Sequence, residues 1–210
     1  MGTDVAIKAR IASREDQVQE RRRSLLDAAA KVIARKGLTG ITMNDIAQEA
    51  GCSYGVAAFH FKSKDGLIQA ALDHLVAEYD TALNRPGAEN EAPADRLKAM
   101  VLLDFDPKIS NAEHVAVWSA FWAESARNPD YRRRLVELKA TYHAFVKAEV
   151  AALAKKRKLK LDAAVIASTL NAIVDGFWIA NQVQAAGLLG QKQARHACFL
   201  YLRSIFPEDF

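Results

Sequence analysis

Thr42-Met43-Asn44-Asp45-Ile46-Ala47-Gln48-Glu49-Ala50-Gly51-Cys52-Ser53-Tyr54-Gly55-Val56-Ala57-Ala58-Phe59-His60 reads as two short helices joined by a tight turn. Thr42 can cap the first helix, with Asp45 three residues later as the carboxylate of a capping box. Gly51 ends that helix at Ala50, and Gly51-Cys52-Ser53 forms the turn. Ser53 is placed to cap the second helix, which runs from Tyr54 to about His60. Ile46, Ala47, Val56 and Phe59 are expected to hold the pair together. This is the layout of a helix-turn-helix, in which the second helix lies in the major groove of DNA. Tyr54 and Gly55 fall at its start, where side chains reach base edges, and Gly55 would let the backbone come close. A helical hairpin with no DNA role fits the same pattern and stays open at this point.

Working outward, Leu25, Leu26, Ala29 and Ile33 share one face of a helix over about 16–36, closed by Gly37 after Arg35 and Lys36. Residues 1 to about 15 lack a sustained apolar stripe and are expected to form a mobile basic arm. Downstream, Ser63 can cap a long helix, about 64–84, that carries Leu67, Ile68, Ala71, Leu72, Leu75 and Tyr79 at helical spacing. Residues 84–94, with Pro86, Gly87 and Pro93, form the clearest loop. Beyond it helices are predicted over about 94–104, 110–127, 130–157, 161–186 and 190–205, the third with the stripe Tyr131, Leu135, Leu138, Tyr142 and Phe145. No segment alternates as a half-buried strand does. The chain is therefore expected to be all-α with about nine helices. Residues 1–64 make the arm and DNA-binding domain, the fourth helix a link, and residues 85–210 a second domain.

Charge is unevenly spread. The first 64 residues hold 11 Lys or Arg against 7 Asp or Glu, and the rest hold 18 of each, so the whole net charge of +4 lies in the first third. Clustered cations suit a module that meets phosphate. At 26% charged and half hydrophobic, the composition is that of a soluble globular protein, which excludes a disordered chain. Apolar runs are interrupted before the length of a membrane span and no signal peptide is evident, so a cytoplasmic protein is expected. Cys52 and Cys198 have no metal-ligand spacing and read as small buried hydrophobes. The five histidines are scattered over different helices, with no nucleophile–base motif. No enzyme activity, metal or cofactor is expected.

The run from Ile41 to Gly55, continued through Phe59-His60-Phe61-Lys62-Ser63-Lys64-Asp65-Gly66-Leu67, resembles the N-terminal signature of the TetR family of repressors. The likeness extends over roughly residues 18–75. It implies a three-helix DNA-binding domain joined by a fourth helix to a larger ligand-binding and dimerising domain. It also implies that Thr42 and Lys64 contact phosphates at two helix N-termini, that Tyr54, Gly55 and Val56 approach bases, and that His60 reaches the DNA backbone. With Ser53 these residues make the candidate DNA-contact set. One departure stands out: Ala58 takes the place of a tyrosine usual in the family, so one phosphate contact is missing.

In the second domain, Trp118 and Trp122 lie four residues apart on one helix face with Phe121 beside them. On a later helix Asn171, Asp175, Trp178 and Gln182 form a polar-aromatic stripe opposite the apolar Ile166, Leu170, Ile173 and Phe177. Trp118, Phe121, Trp122, Asp175 and Trp178 are the candidate ligand residues. Ring faces attract a cation by ~0.5–2 kcal/mol each, and a carboxylate adds Coulomb attraction. Core packing for the tryptophans, with Asp175 solvated or ion-paired at a dimer interface, is the rival reading. Asp104 and Asp106 would supply further negative charge.

Leu103-Asp104-Phe105-Asp106, Ala116-Val117-Trp118-Ser119-Ala120-Phe121-Trp122-Ala123 and Ile173-Val174-Asp175-Gly176-Phe177-Trp178 are similar to the matching parts of BetI-type repressors, which control glycine-betaine synthesis in response to choline. The resemblance implies a repressor released from a palindromic operator by a small cationic or amphipathic effector, choline-like first. A polyamine or an uncharged apolar ligand is the alternative. In a different class stands a helical interaction protein without DNA activity. The last two helices, about 161–186 and 190–205, are expected to form a homodimer.

Overall fold

A computed structural model describes residues 2–85, 87–183 and 190–210, with side chains from Arg14 onward except that of Val183. Pro86 of the expected loop and the last residues of the helix expected to reach 186 lie outside the described residues. Within them the chain is built of α-helices, with no strand: α1 Gly2–Lys36, α2 Met43–Glu49, α3 Tyr54–His60, α4 Lys64–Leu83, α5 Pro93–Asp104, α6 Ala112–Ser125, α7 Pro129–Arg157, α8 Ala163–Val183 and α9 Gln191–Ile205. A short 3-10 turn, Ala88–Asn90, interrupts the loop before α5. The all-α reading and its helix number hold for the described residues.

One expectation is overturned at the N-terminus. The segment read as an arm is helical from Gly2 onward. Residues 3–15 lack an apolar stripe, but they also lack Gly and Pro and include three Ala and two Arg, so local propensity favours the helix.

The chain folds as two compact units, Met1–His74 and Leu75–Phe210, with the division inside α4. In the first unit Leu25, Ala29, Ile33, Ile46, Leu67 and Leu72 are fully buried. Gly37 and Gly51 both adopt positive φ (68° and 63°), the left-handed turn that closes α1 and α2. Ion pairs Arg35–Glu49 (2.5 Å) and Lys36–Asp45 (2.8 Å) tie α1 to α2. In the second unit α5, α7, α8 and α9 share a core that includes Leu97, Met100, Phe105, Val150, Leu170 and Leu202. Cys198 is also part of that core, and burial pushes its thiol up to about 12, so it packs as an apolar group.

Helix α8 departs from the sequence expectation in another way. Over Ala163–Gln182 it is long and apolar enough to cross a membrane, with a mean hydropathy of 1.5. Its Ile166, Ala167, Leu170 and Val174 are instead buried in the shared core, and Asp175 interrupts the run.

The capping box is formed as read. The Asp45 amide donates to Thr42 Oγ1 (3.1 Å), and the Thr42 amide donates to Asp45 Oδ2 (2.8 Å). The Lys36 ammonium and the Thr42 donors hold the Asp45 carboxyl down at about 2. Its stabilising contribution is therefore present above its ordinary value near 3.8 and is lost as pH falls through about 2. Replacing Thr42 by Ala should lower unfolding free energy by about 1 kcal/mol at pH 7. Urea denaturation checks this, and an unchanged midpoint would show that α2 does not depend on its cap.

Candidate DNA-reading surface and effector cavity

In the first unit the turn at Gly51 presents α3 at the surface. The Val56 amide donates to Ser53 Oγ at α3's N-terminus, and only Ala57 of α3 is fully buried. Tyr54 is 57% exposed and Gly55 is open, while Val56 and His60 are half-buried. A Cβ built on Gly55 would meet only Ser53 Oγ, at 3.8 Å, so packing within the chain does not demand glycine there. Thr42 is exposed at the start of α2, and its hydroxyl already donates to Asp45 Oδ2 (2.9 Å). Lys64 opens α4, where the Gly66 amide donates to Ser63 Oγ (3.0 Å).

Phe59 corrects the sequence reading. Expected to pack between α2 and α3, it is 78% exposed. Two residues separate it from Ala57, which turns it to the opposite side of a helix with 3.6 residues per turn. Tyr54 and Phe59 are thus both exposed on α3. Two arginines were missed as part of this surface. Burial, then the charges of Arg22 and Arg21, lower the His60 pKa and keep its imidazole neutral near pH 7. The Arg22 guanidinium also lies 4.7 Å from the centroid of the Phe61 ring. Arg21 and Arg22 of α1 thus bring positive charge beside α3.

In the second unit, α4, α5, α6, α7 and α8 enclose a cavity of about 330 Å³, within the range of small-molecule sites. Tyr79, Asp104, Trp118, Tyr142, Asp175 and Trp178 line it. The centre of the arrangement is Asp104, only 1% exposed. Its carboxylate accepts the Tyr79 hydroxyl from α4 (2.7 Å) and the Tyr142 hydroxyl from α7 (2.7 Å). Its carbonyl accepts the Trp178 indole N–H from α8 (2.9 Å) and the Ser110 hydroxyl. Burial pushes the Asp104 carboxyl up to about 6, although both tyrosine hydroxyls pull the other way. The result is a carboxylate that is ionised at neutral pH yet poorly solvated.

Aromatic rings surround it. Tyr79 and Tyr142 lie 6.2 Å apart, and Trp178 stands 6.5 Å from both Trp118 and Trp122. Of the ligand residues expected from sequence, Trp118, Trp178 and Asp175 are on the cavity wall. Phe121 and Trp122 are not. Phe121 is fully buried edge-to-face against Tyr131 (4.9 Å), because α6 turns it toward α7, and Trp122 stacks behind Trp178 at an interplanar angle of 20°. Asp175 is not free: the Lys139 ammonium donates to both its oxygens (2.5 and 2.6 Å). Gln182, at the end of the stripe, is exposed. Along the sequence Asp104 reads only as extra charge, and Tyr79 and Tyr142 only as members of helical stripes. Asp104 carries a readable signal, since it continues the buried series Leu97, Met100 and Val101 at helical spacing.

Comparison with known proteins agrees with both units. Residues 25–71 match the family model of bacterial regulatory proteins of the tetR family, and residues 93–207 match that of the C-terminal domain of BetI-type transcriptional repressors. The regulator BetI of Burkholderia mallei is 34% identical over 160 residues, covering 76% of this chain and 80% of its own length. BetI of Burkholderia lata is 30% identical over 190 residues, covering 90% and 95%. Among solved structures, a Saccharomonospora viridis protein crystallised in complex with choline superposes with a TM-score of 0.77 at 24% identity, covering 88% of this chain and 96% of that one. AibR, solved with isovaleryl coenzyme A and operator DNA, gives 0.66 at 19% identity, covering 84% and 95%. The chain therefore belongs to the tetR family, with a BetI-type C-terminal domain.

Proposed function

We propose that this transcriptional regulator is a dimeric repressor whose effector is a small quaternary ammonium compound, choline-like in size. The observation that carries this reading is the convergence of Trp118, Trp178, Tyr79 and Tyr142 with the buried Asp104 carboxylate on one cavity. A quaternary ammonium has no N–H to donate, so it is held by ring faces and net charge and not by hydrogen-bond geometry. Asp104 supplies the charge while its lone pairs are already engaged by tyrosine hydroxyls. The choline complex of the Saccharomonospora viridis protein and the BetI relatives support this choice.

Thr42, Ser53, Tyr54, Gly55, Val56, His60 and Lys64 make the operator contacts in this reading, with Phe59 added on the same exposed helix. To reach a phosphate the Thr42 hydroxyl would turn its proton away from Asp45. Dimerisation is assigned to α8 and α9, where Val165, Ile179 and Leu200 are large apolar residues left half-exposed. On α8, Val165, Ala172, Gly176 and Ile179 recur at helical spacing on one uncharged exposed face. A two-fold dimer sets its two recognition helices about 34–36 Å apart, so the operator is a palindrome in cytoplasmic DNA.

Three outcomes follow. Tyr54→Ala should weaken binding to the palindrome upstream of the gene by roughly tenfold or more. Lys64→Ala should lower the salt dependence of that binding by about one unit of slope. Unchanged gel-shift titrations for both variants would remove α3 and the start of α4 from the reading surface. Leu200→Glu combined with Ile179→Glu should yield monomers in sedimentation equilibrium, and an intact dimer would move the interface elsewhere.

A further outcome concerns pH. Choline keeps its charge at every pH, so any titration of its affinity belongs to the protein. Because its binding favours ionised Asp104, affinity should be full above the Asp104 value of about 6 and fall as pH drops through it. Tryptophan fluorescence titrations between pH 5 and 8 measure this. The Asp104→Asn variant is the control. It should bind choline at least tenfold more weakly, without the acid-side loss. Wild-type affinity in Asp104→Asn would sink the cation reading.

A further inference from the structure

The cavity already contains a cation of its own. Lys139 rises from α7, and its ammonium meets both oxygens of Asp175 on α8 at 2.5 and 2.6 Å. It also stands 5.1 Å from the centroid of the Trp122 ring. Trp122 in turn stacks on Trp178, whose indole N–H is fixed on the Asp104 carbonyl. The wall and the Trp122 ring stacked behind it therefore hold two sets of the same parts, each a carboxylate beside aromatic faces. One set, Asp104 with Trp118, Trp178 and the two tyrosines, has no cation. The other, Asp175 with Trp122, is filled by Lys139.

We propose that Lys139 is a specificity-determining residue, a resident ammonium that occupies the second cation subsite and restricts the cavity to effectors with one positive charge. The proposal rests on the reading of the first subsite as a cation site. Its support is charge balance. Asp104 and Asp175 bring two negative charges and Lys139 one positive, so a monocation neutralises the set and a dication overshoots it. Of the other charged wall residues, Arg134 is held by Glu137 (3.2 Å) on its own helix and Asp80 is exposed to solvent. The charges of Lys139 and Asp175 are both felt at Asp104, in opposite senses, which places the two subsites within electrostatic reach of each other.

The Lys139–Asp175 side chains keep 35% and 31% of their accessible surface. An ion pair that open contributes little to stability, so its removal is not expected to unfold the domain. Loss of the lysine would leave Asp175 and the Trp122 face free for the second ammonium of a diamine. Without a lysine there, a cavity of this kind would accept diamines, which links one side chain to the choice between two classes of cationic effector.

The test compares choline with 1,4-diaminobutane by isothermal titration calorimetry on the full-length protein. Wild type should prefer choline. Lys139→Met should shift the ratio of affinities toward the diamine by roughly tenfold or more, and Lys139→Arg should keep the wild-type preference. Adding Asp175→Asn to Lys139→Met should reverse the gain. An unchanged ratio in Lys139→Met, or a gain that survives Asp175→Asn, overturns the proposal. If Lys139→Met does not fold by circular dichroism, Asp175→Asn alone decides. It strands the lysine charge beside the effector and should weaken choline by roughly tenfold, and wild-type choline affinity would overturn the proposal. A wild type that ignores choline defeats the effector reading itself. The diamine gain of Lys139→Met is then still measured, so the two failures are told apart.

Discussion

The ligand unit is organised around a carboxylate that water would otherwise claim. Asp104 ends α5 on the buried side of that helix, and four other groups come to it: Tyr79 from α4, Tyr142 from α7, Trp178 from α8 and Ser110 from the following loop. A buried charge left unpaired is costly; here each carboxylate oxygen accepts a tyrosine hydroxyl, while Trp178 and Ser110 bond the backbone carbonyl. The position in the last turn makes the choice of residue more telling, since a negative charge there opposes the helix dipole. Neither helix stability nor core packing favours Asp at this site. The constraint is satisfied by drawing three helices to α5, and the space left between the rings that cover Asp104 is the cavity.

How much of this is legible in the sequence depends on whether the signal is local. The helix-turn-helix is legible almost residue by residue, because its caps, its turn glycine and its short helices are decided within a few positions. Thr42, Asp45, Gly51 and Ser53 all do what their types suggest. Phe59 is hydrophobic yet exposed, because its phase relative to the buried Ala57 points it outward. The N-terminal extension of α1 escaped for the opposite reason, since its helicity follows from propensity with no apolar stripe to mark it.

The cavity was half legible. Tryptophan and aspartate at helical spacing marked α6 and α8, but spacing along one helix does not say which neighbour it faces. Phe121 and Trp118 lie three residues apart on α6, yet one is enclosed against Tyr131 and the other reaches the cavity. Asp175 looked like the anionic centre because it sits beside Trp178 in sequence. Its partner Lys139 is 36 residues away, and no local pattern announces that pairing. Tyr79 and Tyr142 looked apolar for the same reason, since a tyrosine on a buried stripe reveals its hydroxyl partner only when another helix supplies one.

The chemistry at Asp104 also constrains how an effector could be sensed. Helix α4 begins with Lys64 and carries Tyr79 near its other end, fifteen residues on, without a break. A ligand shifts an equilibrium only by its differential affinity for the two states, and moving a two-state system from 1:99 to 99:1 takes about 5.5 kcal/mol. A single cation–π contact is too small to supply that. Desolvated charge pairing is larger, because Asp104 sits where burial already penalises its ionised form. A cation arriving there relieves the penalty and at the same time competes with the tyrosine hydroxyls for the carboxylate. Tyr79 is the one hydroxyl of that pair carried by α4, the helix that also begins with Lys64.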